Sequence, residues 1–153
     1  LNFIQQDDVL VASVSGHQGC AAAGDRVMGM LKNCGGAGFV TDGPMRDYAG
    51  LVEVGLPAWC TGLTPASPFT KGPATVGLPI NIGGQKIESG DVIVADRDGV
   101  VVVPHSKIDF VINRLSKVAD LEYSLDVEVR EGLKIPDPVK EMILDDNVKF
   151  MDD

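Results

Sequence analysis

Short apolar segments, each closed by a glycine or proline turn, restrict the first two-thirds of the chain to a mixed helix and strand architecture. Val9 to Val14 is predicted to be a buried strand, and the small-residue stretch His17 to Asn33 has a helical middle that ends at Gly35-Gly36. Gly38 to Thr41 and Leu56 to Cys60 are predicted as further strands. A strand followed by a helix and a second strand begins an α/β unit.

The segment that follows changes from helix-and-strand alternation to strands alone. Thr61 to Pro79 combines prolines and glycines with few charges, which predicts an ordered irregular crossover and no domain boundary. Successive short apolar runs separated by tight turns then predict a β-meander. Its strands are predicted at Pro79 to Ile82, Lys86-Ile87, Val92 to Ala95 and Val100 to Val103, with turns at Gly83-Gly84 and Asp98-Gly99.

The last third of the chain is predicted to be helical. Ser106 and Asp109 form a plausible capping box that opens a long helix ending near Glu131-Gly132. Glu122 falls on or beside the apolar stripe of this helix, which we expect to be a buried seam. A short acidic helix is predicted at about Val139 to Asp146, followed by a solvated tail. The stripe comprises Ile108, Val111, Leu115, Val118, Leu125 and Val129, with Leu121 available to complete it.

Composition and charge exclude several classes of protein. The 153 residues include 13 basic and 22 acidic side chains, a net charge of −9 that disfavours direct binding to nucleic acid or anionic lipid. No apolar run approaches the roughly 20 residues that span a bilayer, so we expect a soluble protein. Three scattered cysteines without a C-x-x-C pair indicate neither a disulfide framework nor a zinc site, and favour a reduced, cytoplasmic compartment.

The chain is expected to be a single domain, spanning residues 1 to 153, that lacks an N-terminal piece. It begins with Leu1, and residues 1 to 6 have neither the basic start nor the apolar run of a signal peptide.

The segment Thr41 to Asp47 carries the densest group of candidate functional residues. It follows a predicted strand, at the end of a sheet where ligands tend to bind in α/β proteins. Arg46 offers a guanidinium for a carboxylate or oxyanion, and the adjacent Asp47 offers an oxygen ligand for a divalent cation. The pair suits a metal-bound oxoacid, but a loop ion pair or turn cap explains the same dipeptide.

A second candidate group lies 21 positions upstream of Arg46, at Gly24-Asp25. Small residues here allow close backbone approach near a helix start, where free N–H groups could hold a carboxylate. Close helix packing, with Asp25 as a solvated residue of the first turn, explains the pattern equally well.

Other candidates are weaker. Asp96-Arg97-Asp98-Gly99 resembles the opening of a calcium loop, but the remaining ligands are missing and a hairpin turn is favoured. His17 could touch a ligand from its glycine-rich loop, whereas His105 is better explained as structural. No Ser-His-Asp or Cys-His arrangement is evident, which disfavours nucleophilic catalysis.

Several motifs in this order resemble one known family. They are Gly24-Asp25, Gly38 to Asp47, Gly83-Gly84, Ser89 to Asp91 and Ala95 to Pro104. Together they are similar to the 4-hydroxy-4-methyl-2-oxoglutarate aldolase and regulator of ribonuclease activity A (RraA-like) family. The resemblance covers nearly the whole chain, and it implies a swivelling β/β/α domain of the α/β class, assembled as trimers or hexamers with active sites between subunits.

The resemblance also implies roles for individual residues. Asp47 would bind Mg²⁺ or Mn²⁺ directly or through water, and Arg46 would contact the keto or enolate oxygen of the substrate. Asp25 would position a water that donates a proton to the enolate. The backbone amides of Arg26 and Val27 would hold the substrate carboxylate.

Two further positions complete the implied site. Gly24 belongs to the substrate-binding set, at the close approach beside Asp25. Glu122 is the candidate for an acidic residue that a neighbouring subunit supplies to the water shell of the metal, although an exposed Glu beside a seam completed by Leu121 explains it equally well. Gly50 departs from the family pattern, which often has an acidic residue there, and this leaves the substrate open.

The implied chemistry is cleavage of a 2-oxoacid through a metal-stabilised pyruvate enolate. Retro-aldol cleavage and oxaloacetate decarboxylation share that enolate, so one site could run both. The presence of Asp25, Arg46 and Asp47 favours an enzyme. The alternatives are a regulator that contacts a ribonuclease through its acidic surface, and a relative whose chemistry has drifted to another small oxoacid or sugar acid.

Overall fold

A computed structural model describes residues 1–68, 71–144 and 148–149. The chain divides into two compact units, Leu1–Ile108 and Asp109–Asp153. The candidate residues from Gly24 to Gly50 lie in the first unit, whereas Glu122 lies in the second.

A three-stranded parallel sheet organises the first unit. Its strands are β1 (Val9–Ala12), β2 (Gly38–Thr41) and β3 (Ala58–Trp59), and β2 lies in the middle. Helix α1 (Asp25–Asn33) connects β1 to β2, and helix α2 (Tyr48–Val54) connects β2 to β3. All four residues of β2 are buried, as expected for a central parallel strand. Its carboxyl end therefore leads directly from the core into the loop that carries Arg46 and Asp47.

The core of the first unit is small and lies between the sheet and α1. Met28 and Leu31, spaced three apart on α1, are fully buried and pack with Phe39 of β2 and with Met45. Met45 immediately precedes Arg46, so the loop that carries Arg46 is anchored in the hydrophobic core.

Prediction and structure agree best where a strand is bounded by turns. The β2 bounds are as predicted, whereas the strands predicted at Val9 to Val14 and Leu56 to Cys60 are shorter, four and two residues long. Helix α2 was not predicted, because its seven residues include an interior glycine that lowers helix propensity. Gly55 caps the helix in a left-handed conformation, with φ of 66°. A glycine at this place in the sequence is the signal that could have revealed where α2 ends.

The strands predicted as one meander form two separate antiparallel hairpins, so that prediction was wrong in its connectivity. One hairpin pairs β4 (Ile80–Ile82) with β5 (Gln85–Ile87), and the other pairs β6 (Val92–Ala95) with β7 (Val100–Val103). The physical reason lies between β5 and β6. There the Asp91 N–H donates to the Glu88 carbonyl, the Glu88 N–H donates to the Asp91 carboxylate, and Gly90 is left-handed at φ 94°.

A long helix, α3 (Ile108–Arg130), and a short one, α4 (Asp137–Ile143), follow the hairpins. A 3₁₀ turn, His105–Lys107, precedes α3 and starts after Pro104 without a side-chain cap, so Ser106 is not the cap residue. No residue of α3 is buried, so the expected buried seam is wrong for the single chain. The predicted acidic helix ends at Ile143; residues 145–147 and the tail Asp152-Asp153 lie outside the described residues. Among the described residues, no helix is both long and apolar enough to cross a membrane.

Candidate active site

The loop after β2 is held against the segment that enters α1. The Arg46 N–H donates to the Ala23 carbonyl at 3.1 Å, and Ala23 and Met45 form an isolated parallel bridge. This backbone pairing brings the two candidate groups, Gly24-Asp25 and Arg46-Asp47, side by side. The expectation that this strand end carries the site residues stays a prediction.

Gly24 provides the space in which these groups meet. A Cβ at this position would lie 2.6 Å from Asp47 Oδ2 and 3.0 Å from Arg46 Cγ. Gly24 is also the N-cap residue of α1, with an extended backbone and no side-chain cap. A side chain here would displace the Asp47 carboxylate, which lies against the backbone at the start of α1.

The guanidinium of Arg46 is oriented by a residue that sequence analysis did not identify. Arg46 Nη1 donates to Ser67 Oγ at 2.7 Å. Arg46 Nε lies 3.2 Å from Asp47 Oδ2, but it is buried and has no hydrogen-bond acceptor among the described residues. At this distance Arg46 Nε and Asp47 Oδ2 form an ion pair, although the N–H direction does not favour a hydrogen bond.

Asp47 adopts a backbone conformation that is uncommon for residues other than glycine. Its φ of 61° and ψ of 47° are left-handed, and it is the N-cap residue of α2. The Asp47 side chain is 45% exposed, so its carboxylate is accessible beside the buried Arg46 Nε. Aspartate is among the residues that adopt this conformation most readily, and Asp7 adopts it as well, with φ of 69°.

A shallow cleft of about 320 Å³ opens at this pair. Arg46, Asp47 and Tyr48 line one side, and the loop Leu63 to Pro65 lines the other. The loop is held by the Met45 N–H donating to the Gly62 carbonyl at 2.9 Å and by the Thr64 N–H donating to the Met45 carbonyl at 2.9 Å. The prolines and glycines of this segment predicted an ordered crossover, but its sequence carries no signal for which residues line the cleft with Arg46.

Asp25 is the first residue of α1, and its side chain packs against α2. Its Oδ1 accepts the Arg26 N–H at 2.6 Å, and its Oδ2 lies against the backbone of Gly50. The Val27 N–H donates to the Gly24 carbonyl at 3.1 Å. Both amides predicted to hold a substrate carboxylate thus have acceptors within the chain, and a bound carboxylate would have to share or replace them.

Glu122 lies in the middle of α3, in the second unit, and is exposed. Its predicted contribution to a metal's water shell from a neighbouring subunit stays a prediction.

Comparison with known proteins identifies the family. Residues 1–102 match the model of the RraA-like family, described as Aldolase/RraA. This chain belongs to the RraA-like family. A curated relative from Halalkalibacterium halodurans, named "Putative 4-hydroxy-4-methyl-2-oxoglutarate aldolase", is 40% identical over 72% of this chain and 52% of its own length. The chain therefore spans about half the length of that relative.

Two solved structures are similar in fold to this chain. Streptomyces coelicolor RraAS2, described as an unusual member of the RNase ES inhibitor RraA protein family, is 35% identical with a TM-score of 0.76, covering 82% of this chain and 64% of that one. An uncharacterised Pseudomonas syringae protein reaches a TM-score of 0.80 at 27% identity, covering 88% of this chain and 68% of that one. The predicted RraA-like α/β fold with a long C-terminal helix is confirmed.

Asp47 is the residue of this RraA-like site whose oxygens could serve a divalent cation such as Mg²⁺ or Mn²⁺. Among the described residues, no group of three or more His, Cys, Asp or Glu side chains could hold a metal ion. Mg²⁺ characteristically keeps several waters and uses one or two carboxylates together with oxygens of the substrate. The Asp47 carboxylate is accessible and could supply one such ligand.

Asp42 fixes the loop at the end of β1 on the same edge of the sheet. Its carboxylate accepts from Ser13 Oγ at 2.9 Å, from the Val14 N–H at 2.6 Å and from the Gly16 N–H at 2.9 Å. Partial burial raises the pKa of Asp42, but the hydrogen bonds from Val14, Ser13 and Gly16 outweigh it and hold the pKa below its ordinary value of 3.8.

Asp42→Asn is expected to destabilise the protein by about 1–3 kcal/mol, because an amide cannot accept all three hydrogen bonds. Since the folded pKa of Asp42 is lowered, its stabilisation is present above the ordinary value of 3.8 and is lost as the pH falls through the lower folded value. Urea unfolding of wild type near neutrality and in acid measures both effects. Asp98→Asn, at an exposed position, serves as the control. An Asp42→Asn protein as stable as this control at neutral pH would contradict the role of Asp42 in holding the loop.

The Asp96 to Gly99 segment, which resembles the opening of a calcium loop, forms a hairpin turn as predicted. It joins β6 to β7, and Asp96 Oδ1 accepts the Asp98 N–H at 2.8 Å. The Asp96 side chain is thus used within the turn.

Proposed function

We propose that this chain is a divalent-metal-dependent lyase that cleaves 4-hydroxy-4-methyl-2-oxoglutarate or a similar 2-oxoacid to pyruvate. The observation that carries the proposal is the ion pair between the buried Arg46 Nε and the accessible Asp47 carboxylate, which lies at one cleft. A guanidinium donor and a cation ligand side by side suit an oxoacid whose oxygens gain negative charge during reaction. The aldolase name of the Halalkalibacterium halodurans relative supports the same class.

In this mechanism Asp47 would hold Mg²⁺ or Mn²⁺, which when bound supplies Lewis-acid polarisation of the 2-oxo group. Arg46 would donate from Nε to the oxygen that becomes negative as the carbon–carbon bond breaks. The electrons of that bond would pass into a pyruvate enolate, while the 4-hydroxyl would give its proton to a water and become the carbonyl of a second pyruvate. Ser67 keeps the guanidinium oriented through its contact with Nη1.

The enolate must then gain a proton at carbon to leave as pyruvate. Asp25 is proposed to position the water that supplies it, from the side of α1 that borders Gly24 and the Arg46-Asp47 pair. Oxaloacetate would lose CO₂ to give the same enolate, so oxaloacetate decarboxylation is proposed as a second activity of this site.

Assembly and location are proposed with the function. The apolar side chains exposed along α3, including Leu115 at 57% and Leu125 at 44%, support a homotrimer or hexamer, in which Glu122 would reach a neighbouring site. Cys20, Cys34 and Cys60 are all free thiols, which supports a reducing, cytoplasmic location.

Removing the metal is expected to abolish activity. Pyruvate released from 4-hydroxy-4-methyl-2-oxoglutarate and from oxaloacetate is followed with Mg²⁺ or Mn²⁺, then with a chelator, then with metal restored. We expect turnover that disappears with chelator and returns with metal, because Asp47 alone cannot polarise the 2-oxo group. Turnover that persists in chelator would contradict the proposal.

A second candidate function is a non-catalytic regulator of a ribonuclease. Its support is the likeness to Streptomyces coelicolor RraAS2, described as belonging to an RNase inhibitor family, together with the net charge of −9. Absence of turnover on both substrates and on a panel of other oxoacids, with inhibition of a ribonuclease by the same sample, would favour this candidate.

A further inference from the structure

The cleft at Arg46 and Asp47 has a charged end and a neutral end. The charged end is the ion pair itself, in which Arg46 Nε and Asp47 Oδ2 are 3.2 Å apart. The rest of the lining is uncharged and consists of Tyr48, Leu63, Thr64 and Pro65. Among the described residues that line this cleft, Arg46 is therefore the one cationic side chain.

Two large side chains of the neutral end are exposed in the single chain. Tyr48 is 65% exposed and Leu63 is 58% exposed, although both lie beside the Arg46-Asp47 pair. The hydroxyl of Thr64 is already used within its loop, where it accepts the Ala66 N–H at 3.3 Å. Apolar side chains exposed beside a few polar groups in a cleft are typical of a ligand site. The neutral end therefore suits an uncharged, apolar part of a ligand.

The charges of the proposed site match a substrate with one carboxylate. Arg46 and a divalent cation would together balance Asp25, Asp47 and one substrate carboxylate. Within the described lining of the cleft, no further cationic side chain is available for a second carboxylate, and the chain as a whole has a net charge of −9. A carboxylate at the neutral end would lose part of its hydration without gaining a partner.

We propose that the preferred substrate is a 4-hydroxy-2-oxoacid with an uncharged, apolar substituent at C4, and that Tyr48 and Leu63 select it. This inference rests on the proposed function and narrows its substrate class. The 2-oxoacid group would lie at Arg46 and Asp47, and the C4 substituent would lie between Tyr48 and Leu63. Cleavage of the C3–C4 bond would then release pyruvate and an uncharged aldehyde or ketone. The second carboxylate of 4-hydroxy-4-methyl-2-oxoglutarate makes that acid the poorer substrate.

Two unreactive acids test this preference without turnover. 2-Oxopentanoate and 2-oxoglutarate have the same chain length and differ only in ending with a methyl or a carboxylate, and neither has the 4-hydroxyl that cleavage needs. In calorimetric titrations of the full chain with Mn²⁺ present, we expect 2-oxopentanoate to bind about tenfold more tightly, the size of effect that one well-placed apolar group gives. Equal or tighter binding of 2-oxoglutarate, or no binding of either acid, would overturn the inference.

Leu63→Lys tests whether this wall sets the preference, because it places a cation at the neutral end. The backbone on both sides of Leu63 is held by Met45, whose N–H donates to the Gly62 carbonyl and whose carbonyl accepts the Thr64 N–H. The change is thus confined to an exposed side chain. We expect the ratio of affinities to shift toward 2-oxoglutarate by about fivefold, the upper range for an exposed ion pair.

Two control variants separate charge in the cleft from other effects of Leu63→Lys. Leu63→Gln is polar without charge, and it is expected to weaken the binding of 2-oxopentanoate without strengthening that of 2-oxoglutarate. Val101→Lys adds the same charge at an exposed position of β7 outside the cleft lining, and it is expected to change neither affinity. A shift in Val101→Lys equal to that in Leu63→Lys would overturn the role of Leu63.

The outcomes separate this inference from the proposed function. Pyruvate release is compared for 4-hydroxy-4-methyl-2-oxoglutarate and for 4-hydroxy-4-methyl-2-oxopentanoate, in which a methyl replaces the second carboxylate. If neither is cleaved but the binding preference and its shift in Leu63→Lys are observed, the proposed lyase fails and the selection of an uncharged end group stands. If both are cleaved and the dicarboxylate has the higher kcat/KM, the inference fails alone.

A second copy of the chain is the other possible occupant of the neutral end. Light scattering of wild type and Leu63→Lys measures this directly. A Leu63→Lys protein that changes its oligomeric state but not the ratio of the two affinities would assign Tyr48 and Leu63 to a subunit contact, and would overturn the inference.

Discussion

Replacing Asp47 by asparagine is expected to abolish metal-dependent pyruvate release and to weaken Mn²⁺ binding by more than the ~10–100-fold that loss of a supporting residue costs. Asparagine keeps the shape of the side chain and tolerates the left-handed backbone, with φ of 61°, that Asp47 adopts. The change therefore removes the negative charge with little effect on the fold. Calorimetric titration with Mn²⁺ and the pyruvate assay measure the two losses.

Asp7→Asn is the matched control, because Asp7 is an exposed aspartate with a similar φ of 69°. It is expected to leave both metal binding and turnover unchanged. Wild-type Mn²⁺ affinity in Asp47→Asn would remove Asp47 from the metal site.

Replacing Arg46 by lysine is expected to lower kcat by about 100–1,000-fold, the effect of losing one donor to a developing oxyanion. Lysine keeps the positive charge but has no Nε donor at the buried position, and it cannot reproduce the planar contact with Ser67 at 2.7 Å. Mn²⁺ binding is expected to persist, since Asp47 is intact. Steady-state kinetics and the same calorimetric titration distinguish this result from that of Asp47→Asn.

The exposed Arg97→Lys is the control for this change, and its kinetics are expected to match wild type. An Arg46→Lys enzyme with wild-type kcat would show that charge alone suffices at this position, and would contradict the role assigned to Nε.

The parts of the fold that sequence analysis predicted are those with strong local signals. β2 and β7 are apolar runs closed by Asp-Gly-Pro or by proline, and their bounds are correct. Helix α2 was missed because Gly50 weakens its helical pattern, although the helix forms with Gly50 packed closely against Asp25. A tertiary contact overrode local propensity at that residue.

The candidate site was only partly predictable for a related reason. Placing Arg46 and Asp47 at a strand end follows from the order of strands and turns, and their closeness to Gly24 is realised by a backbone bridge. Ser67 lies 21 residues beyond Arg46 in an irregular segment, so no periodicity connects the two. The apolar stripe of α3 was predicted to be buried, but it is exposed in the single chain. An apolar pattern predicts that a helix face will be covered, but it does not show which surface covers it.

The most direct test of the central claim is to measure pyruvate release and Mn²⁺ binding on the same samples of wild type, Asp47→Asn and Arg46→Lys. The account predicts binding and turnover in wild type, neither in Asp47→Asn, and binding without appreciable turnover in Arg46→Lys. Turnover in all three proteins, or wild-type turnover without bound metal, would contradict an Arg46-Asp47 site that acts with a divalent cation.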